Sequence, residues 1–285
     1  MRIRGISKGF IKRILLELGI LTVVAGLCCI DALFIEPYFP RVVRQEVRVE
    51  GLPKSLDGLK IVHLSDLHIV KLGKRESRAA KKIERIKPDL VCFTGDYIQD
   101  DGITPGSHTD EECVHEAIRF MASLPAKYGI YAVSGNWEVL DSTQFADAGI
   151  HMLDKTSVKL IINESPIILA STWSARSFPS SKKPRIPTVV LDHFPDAVEE
   201  LAETNAPVDL VLAGHWHGGQ VSWPIFGPFD KSTMKYPSGL YKVGDVQLYV
   251  TRGLGMHTYA VRFNCPSEIT LIVLKRANPK RPVDK

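Results

Sequence analysis

Cysteine is scarce and unpaired in this 285-residue chain: Cys28 and Cys29 sit together in an apolar run, while Cys92, Cys113 and Cys265 show no paired spacing. The cysteines therefore define neither a disulfide framework nor a compartment, and Cys92 reads as a small apolar residue inside a strand. Internal repeats and low-complexity tracts are missing, which excludes a repeat architecture. A strong charge of one sign is missing as well. The formal total is +4, but five basic residues (Arg2, Arg4, Lys8, Lys12, Arg13) precede Ile35 against Glu17 and Asp31. Five more (Lys275, Arg276, Lys280, Arg281, Lys285) lie at the end against Asp284 alone. The body between is slightly acidic, which argues against a nucleic-acid-binding surface and leaves the basic ends to meet anionic headgroups or solvent.

Length and ordinary apolar content fit one large domain with a well-buried core. One long apolar stretch stands apart, Ile14 to Ile35, uninterrupted by charge from Leu18 to Ile30. It reaches the roughly 20 residues that a bilayer requires only by including Glu17 and Asp31 near its ends. A basic start before an apolar middle also fits a cleaved signal peptide, but no A-x-A site follows. The stretch Ser7-Lys8-Gly9-Phe10-Ile11-Lys12 lacks the paired arginines of a twin-arginine export motif, and Cys28 follows Leu27 rather than the small residue of a lipoprotein signal. The expectation is an uncleaved anchor or interfacial helix over residues 1–36, in the cytoplasmic membrane. Arg41, Arg44, Arg48 and Lys54 follow the run closely, so the positive-inside bias nearly cancels and the side of the membrane stays open.

Glu36-Pro37-Tyr38-Phe39-Pro40 breaks the helix and starts a connector over 37–58, in which Val42 to Val49 alternates as an edge strand. Short apolar runs then recur at Leu59–Leu64, Leu90–Phe93, Ile130–Val133, Val189–Leu191 and Leu210–Ala213. Helical periodicity marks Arg75–Ile86, with Ala79, Ala80 and Ile83 on one face and Pro88 as its stop, and Glu111–Ser123. Strands alternating with helices predict a layered α/β fold with its functional residues along one sheet edge. The later runs Val158–Ile162, Ile167–Ala170, Val246–Val250 and Ile269–Leu274 are expected to form a second sheet. Trp173–Pro187 and Val221–Tyr236 read as long loops near the site.

Each of five runs is followed by metal-ligand residue types: Asp66-Leu67-His68, Gly95-Asp96, Gly135-Asn136, His193, and Gly214-His215-Trp216-His217. Oxygen and imidazole donors without thiolate suit Mn²⁺, Fe, Zn²⁺ or Mg²⁺ bound for catalysis, and seven donors are too many for one ion. A lone Asp or His after a strand is ordinarily a cap or surface residue, so the weight rests on five clusters in order. His63, inside an apolar strand, reads as a hydrogen-bonded core residue; His108, His115 and His151 read as surface histidines.

This pattern of D-x-H, G-D, G-N, a lone His and G-H-x-H resembles the calcineurin-like metallophosphoesterase family over roughly Leu59 to Leu274. The flanks KIVHLSDLH, GHWHGGQ and YVTRGLG look most like its membrane-associated bacterial branch, which includes UDP-2,3-diacylglucosamine pyrophosphatases. The resemblance implies a four-layer αββα sandwich of two mixed sheets flanked by helices, with an N-terminal anchor helix, a catalytic domain over 59–276 and a basic tail over 277–285. It implies two divalent ions, manganese foremost. Asp66, His68 and His217 would hold one, Asn136, His193 and His215 the other, and Asp96 would bridge them, with Asp96, Asn136 and His215 central to catalysis.

The family motif continues G-N-H, and its histidine contacts phosphate and can protonate the leaving oxygen; here that residue is Trp137. An indole exchanges no proton near neutral pH, so either another group serves or the leaving group needs little help. A phosphoanhydride expels phosphate, a far better leaving group than an alkoxide. The expectation is therefore cleavage of a pyrophosphate bond, as in the hydrolysis of UDP-2,3-diacylglucosamine to UMP and lipid X in lipid A biosynthesis. Trp137, Arg252 and His257, the last beside the glycine-rich turn Arg252-Gly253-Leu254-Gly255, are candidate substrate contacts, and Trp223-Pro224-Ile225-Phe226 suits an acylated partner. Two other readings stand beside it: a phosphodiesterase or phosphatase on lipid headgroups or cell-wall phosphates, and a membrane-tethered binding module that has lost catalysis. The sequence leaves the oligomeric state open.

Overall fold

Side chains alternate across a strand, so every apolar run divides between two faces, and that division builds the layers of this molecule. The computed structural model describes residues 8–99, 110–136, 142–179, 186–229 and 232–277. Among them the strands are β1 (Arg41–Val49), β2 (Lys60–Leu64), β3 (Leu90–Thr94), β4 (Ile130–Val133), β5 (Ile150–Met152), β6 (Ser157–Ile162), β7 (Ser165–Ser171), β8 (Thr188–Leu191), β9 (Leu210–Ala213), β10 (Ser222–Trp223), β11 (Gly227–Pro228), β12 (Gly239–Val243), β13 (Val246–Val250) and β14 (Glu268–Arg276). The helices are α1 (Lys8–Ile30), α2 (Lys74–Ile86), α3 (Asp110–Ala122), α4 (Ser142–Asp147), α5 (Thr172–Ala175) and α6 (Ala197–Glu203). Trp137, His108 and the tail beyond residue 277 lie outside the described residues.

One sheet runs β1-β14-β2-β3-β4-β5 and the other β12-β13-β9-β8-β7-β6, while β10 and β11 make a separate hairpin. Both large sheets are mixed: β14 lies antiparallel to β2 and parallel to β1, and β12 and β6 are antiparallel edges on a parallel centre. Val62, Leu64, Val91 and Phe93 face Ala79 and Ile83 of α2, Ala117 and Met121 of α3 and Phe145 of α4. Their sequence neighbours Ile61, Leu90 and Cys92 face the opposite way, onto Leu169, Val189, Leu191, Leu210 and Leu212 of the second sheet. Val190, Val211 and Val250 then face Ala175 of α5 and Val198 and Leu201 of α6. The order is helix, sheet, sheet, helix: the αββα sandwich that the family resemblance implies.

Two expectations are corrected. Ile269–Leu274 belongs to β14, in the first sheet between β1 and β2, not in the second. Its run is buried on both faces, as an interior strand requires, and pairing partners 200 residues away carry no local signal. The metal-ligand types also do not share one sheet edge. β2, β3 and β4 deliver theirs from the first sheet, β8 and β9 from the second, so the clusters meet across the gap between the sheets. Of the two expected loops, Trp173–Pro187 begins with the last three residues of α5, and Val221–Tyr236 contains the β10–β11 hairpin. The half-exposed edge strand β12 has no strongly apolar pattern and was not foreseen.

Helix α1 buries none of its 23 residues. Its length of about 35 Å exceeds the roughly 30 Å of a hydrocarbon core. A π-helical turn, Asp31–Ile35, continues it to the body, where Ala32 is buried and its carbonyl accepts the backbone N–H of Arg262 at 3.0 Å. Buried Glu36 completes the joint: its carboxylate accepts Cys265 N at 2.9 Å and its carbonyl accepts Ser267 N at 3.2 Å. The apolar helix thus enters the body through a fixed junction, and its composition and exposure suggest membrane association.

Candidate metal centre

The loops that follow β2 and β3 are zipped together by backbone bonds, Asp66 N to Gly95 O at 3.0 Å and His68 N to Asp96 O at 3.1 Å. Each carboxylate then binds the backbone of a third loop. Asp66 accepts His215 N through Oδ1 at 3.0 Å and Oδ2 at 3.2 Å; Asp96 accepts Asn136 N through Oδ1 at 3.0 Å. Such close approach requires glycine next door: a Cβ on Gly135 would collide with the Asp96 carboxylate, and one on Gly214 with the Ser65 hydroxyl and the Asp66 carboxylate. Asp66, His68, Asp96, His215 and His217 adopt φ of 51°, 43°, 55°, 74° and 51°. Left-handed backbone at a non-glycine residue costs on the order of 1 kcal/mol each and persists where the surroundings over-determine it.

The side chains converge into two groups, Asp66 with His68 and His217, and Asp96 with His193 and His215. In the first, His68 Nε2 and His217 Nε2 are 3.1 Å apart and Asp66 Oδ1 is 3.6 Å from His217 Nε2. In the second, His193 Nε2 lies 3.1 Å from His215 Nδ1, 3.0 Å from Asn136 Oδ1 and 3.3 Å from Asp96 Oδ2. Donors bound at about 2.0–2.2 Å to one cation sit roughly 3.0–3.5 Å from one another, so these spacings fit ligands that share an ion. Asp96 Oδ2 also lies 3.8 Å from His68 Nε2, which puts a single carboxylate oxygen between the two groups.

Burial sets the protonation states. It lowers His68 to about 3, lowers His215 to about 4, and holds His217 well below its usual value, so all three present lone pairs at neutral pH. Burial also raises Asp66 to about 7, with Asp96 adding repulsion and His193 opposing. Burial opposes charge on His193 too, but its bond to Asp96 and the field of Asp66 and Asp96 outweigh that and raise it to about 9. Its Nδ1 faces the Thr94 carbonyl at 2.8 Å, which leaves Nε2 turned to the other donors. Two buried carboxylates beside the neutral imidazoles of His68, His215 and His217 make a donor set that a divalent cation would compensate, in place of the proton that the two carboxylates hold on His193.

The candidate substrate contacts divide. His257 stands against the first group, its ring centroid 5.5 Å from His68 and 6.3 Å from His217. Arg252 lies beside Gly218, but its guanidinium is engaged by Glu268 at 3.2 Å. His63 is the core residue expected, 2.8 Å from Thr94 Oγ1 and lowered to about 3 by burial. Sequence reading missed the residues that hold the loops. Arg262, fully buried, donates from Nε, Nη1 and Nη2 to the carbonyls of Gly255, Cys265, Arg252 and Gly253, which fastens the glycine-rich turn against Asp66. Buried Arg75 donates to Leu67 O at 2.9 Å, inside the Asp66–His68 loop. Neither has a local signal, because their acceptors are backbone carbonyls that any residue supplies. A cavity of about 230 Å³ borders the second group, lined by Ser134, Asp154, Trp173, Arg176, His193 and Phe194 among others.

The sequence profile of the calcineurin-like phosphoesterases matches residues 59–219, which contain all seven ligand-type residues. The chain is 30% identical over 265 residues to the metallophosphoesterase YkuE of Bacillus subtilis, covering 87% of this chain and 90% of that protein. It is 30% identical over 259 residues to the phosphodiesterase YaeI of Escherichia coli, with 85% and 90% covered. It is 26% identical over 307 residues to the UDP-2,3-diacylglucosamine pyrophosphatase LpxG of Chlamydia trachomatis, with 84% and 90% covered.

Proposed function

We propose, on the premise that this chain belongs to the calcineurin-like phosphoesterase family and is a metal-dependent phosphoester hydrolase, that it cleaves a pyrophosphate bond in a nucleotide-linked lipid. Asp66, His68 and His217 would hold one divalent ion, Asn136, His193 and His215 a second, and Asp96 would serve both, with manganese the ion favoured over iron, zinc or magnesium. The observation that carries this reading is Asp96 Oδ2, placed 3.8 Å from His68 Nε2 and 3.3 Å from His193 Nε2. When bound, two such ions offset phosphate charge and make hydroxide available at neutral pH. The protein's part is to hold seven donors in position before substrate arrives, with Asp66 and Asp96 fixed by the amides of His215 and Asn136.

The choice of bond rests on Trp137. Where the family pattern has a proton-donating histidine this chain has an indole, and an anhydride tolerates that loss best because phosphate leaves without protonation. The relative LpxG, named for cleaving UDP-2,3-diacylglucosamine, supports a substrate of that class, with UMP and lipid X as products and lipid A biosynthesis as the setting. The enzyme is then held at the cytoplasmic membrane by residues 1–36, with 37–58 as connector, 59–276 as catalytic domain and the basic tail 277–285 near anionic headgroups.

One observation favours a second reading, an alkyl phosphodiesterase acting on lipid headgroups: His257 stands beside His68 and is a group able to protonate an alkoxide. Turnover of UDP-2,3-diacylglucosamine and of simple alkyl phosphodiesters with Mn²⁺ decides between them, and faster alkyl turnover sinks the anhydride reading. Asp96→Ala and His215→Ala variants test the site itself. If both match the parent on every phosphate substrate, the site assignment fails and a binding module becomes the better account.

A further inference from the structure

The hairpin of β10 and β11 carries the most exposed large apolar side chains of the body. Residues Val221 to Phe229 include no charge, and Trp223, Ile225, Phe226 and Phe229 are 50%, 86%, 72% and 78% exposed. Tyr259, on the next loop, is 72% exposed. Apolar groups gathered this way on a soluble face mark a surface that is covered in use.

The position of the hairpin identifies the cover. Its root pairs with residues 261–263: Ser222 N donates to Phe263 O at 2.9 Å, Phe263 N to Gln220 O at 3.1 Å, and the Trp223 and Phe263 rings meet edge-on at 6.2 Å. The same short segment receives the π-helical turn that continues α1, through Arg262 N and Ala32 O. Next to that junction Leu33, Phe34 and Ile35 are themselves exposed. The hairpin and the apolar helix therefore leave the body from one place, and a bilayer that takes up the helix lies beside the hairpin.

That place is also the rim of the site. Gln220 is three residues past His217; its carboxamide donates to the carbonyls of His257 and Tyr259 and accepts His257 N at 2.9 Å. We propose that the Trp223–Phe229 hairpin is a membrane-inserting wedge. With α1 it makes a two-point attachment that presses the His217–His257 side of the site against the bilayer. The substrate class that fits is an amphiphile whose phosphate reaches the site while its chains stay in the membrane. The wedge rests on the phosphohydrolase reading only for its effect on turnover, not for its contact with lipid.

The full-length protein is reconstituted in vesicles of phosphatidylethanolamine and phosphatidylglycerol containing phosphatidylcholine brominated in its acyl chains. Tryptophan emission is expected to be quenched in the parent, and the quenchable part to disappear in Trp223→Phe. An Ile225→Asp, Phe226→Asp double variant is expected to lose about tenfold in turnover of a nitrophenyl phosphodiester carried on diacylglycerol, and nothing on water-soluble bis(nitrophenyl) phosphate. Retained soluble turnover shows that this variant is folded. Quenching that persists undiminished in Trp223→Phe overturns the wedge, as does equal loss on both esters. A parent dimer in detergent that the double variant dissociates, with lipid quenching unchanged, assigns the face to a second copy and also overturns it. A parent inactive on both esters and on UDP-2,3-diacylglucosamine but quenched through Trp223 counts against the phosphohydrolase reading and for the wedge.

Discussion

The two halves of the site differ in how they are closed. Asp66, His68 and His217 are buried, capped by the glycine-rich turn that Arg262 fastens and flanked by the His257 ring. Asp96 and His193 are buried too, but their companions His215 and Asn136 are half-buried and exposed, and a cavity opens beside them. The contrast separates a first half that the fold encloses on every side from a second half that borders an open cavity. Enclosed ligands exchange an ion slowly, and open ones trade positions with solvent and substrate.

Substitution in each half sharpens that contrast. His68→Ala removes a donor from the enclosed half and is expected to lower kcat/KM about a thousandfold, roughly 4 kcal/mol of transition-state stabilisation, with no recovery in excess Mn²⁺. Asn136→Ala, in the open half, is expected to recover most activity as Mn²⁺ is raised. Metal titrations of turnover compare the two, and equal rescue of both variants erases the distinction. Arg262→Met probes the closure itself. It leaves several buried carbonyls without their donor and is expected to lower stability by about 3 kcal/mol in thermal unfolding, with metal stoichiometry falling from two ions to one. Loss of both ions together would show that the halves are one unit.

The smallest effect is expected at His257. Its replacement by alanine should slow alkyl phosphodiesters about tenfold and leave anhydrides nearly unchanged, a difference read from the ratio of the two kcat values. Equal slowing of both substrates would mean that His257 positions the phosphate and donates no proton.

The legible parts of this molecule are those whose signal is local. A compact apolar run followed at once by an Asp, Asn or His, at Asp96, Asn136 and His215 after a glycine, specifies a strand and a polar residue at its end, so the seven residues that the structure gathers were readable in order. The helices α2 and α3 were placed to within about one residue because Pro88 and amphipathic periodicity act at short range. Sheet membership was not readable. β14 pairs with β1 more than 200 residues earlier, and only tertiary packing tells its apolar run which sheet to join. For the same reason the site looked like one sheet edge and proved to straddle two. The tie from Gln220 to the His257 loop was equally hidden, since a glutamine bonding backbone atoms leaves no pattern in the residue types.

The hydrogen bond from Arg262 to Ala32 and the pairing of His215 with Asp66 set an order of events during synthesis. Ala32 must wait for Arg262, made long after it, and Asp66 must wait 149 residues for His215. Contacts of such separation form late, after local helices and hairpins have closed. The half-site at Asp66 therefore cannot be completed on a partial chain. A cation shared by donors from both sheets would report that the two sheets have already come together.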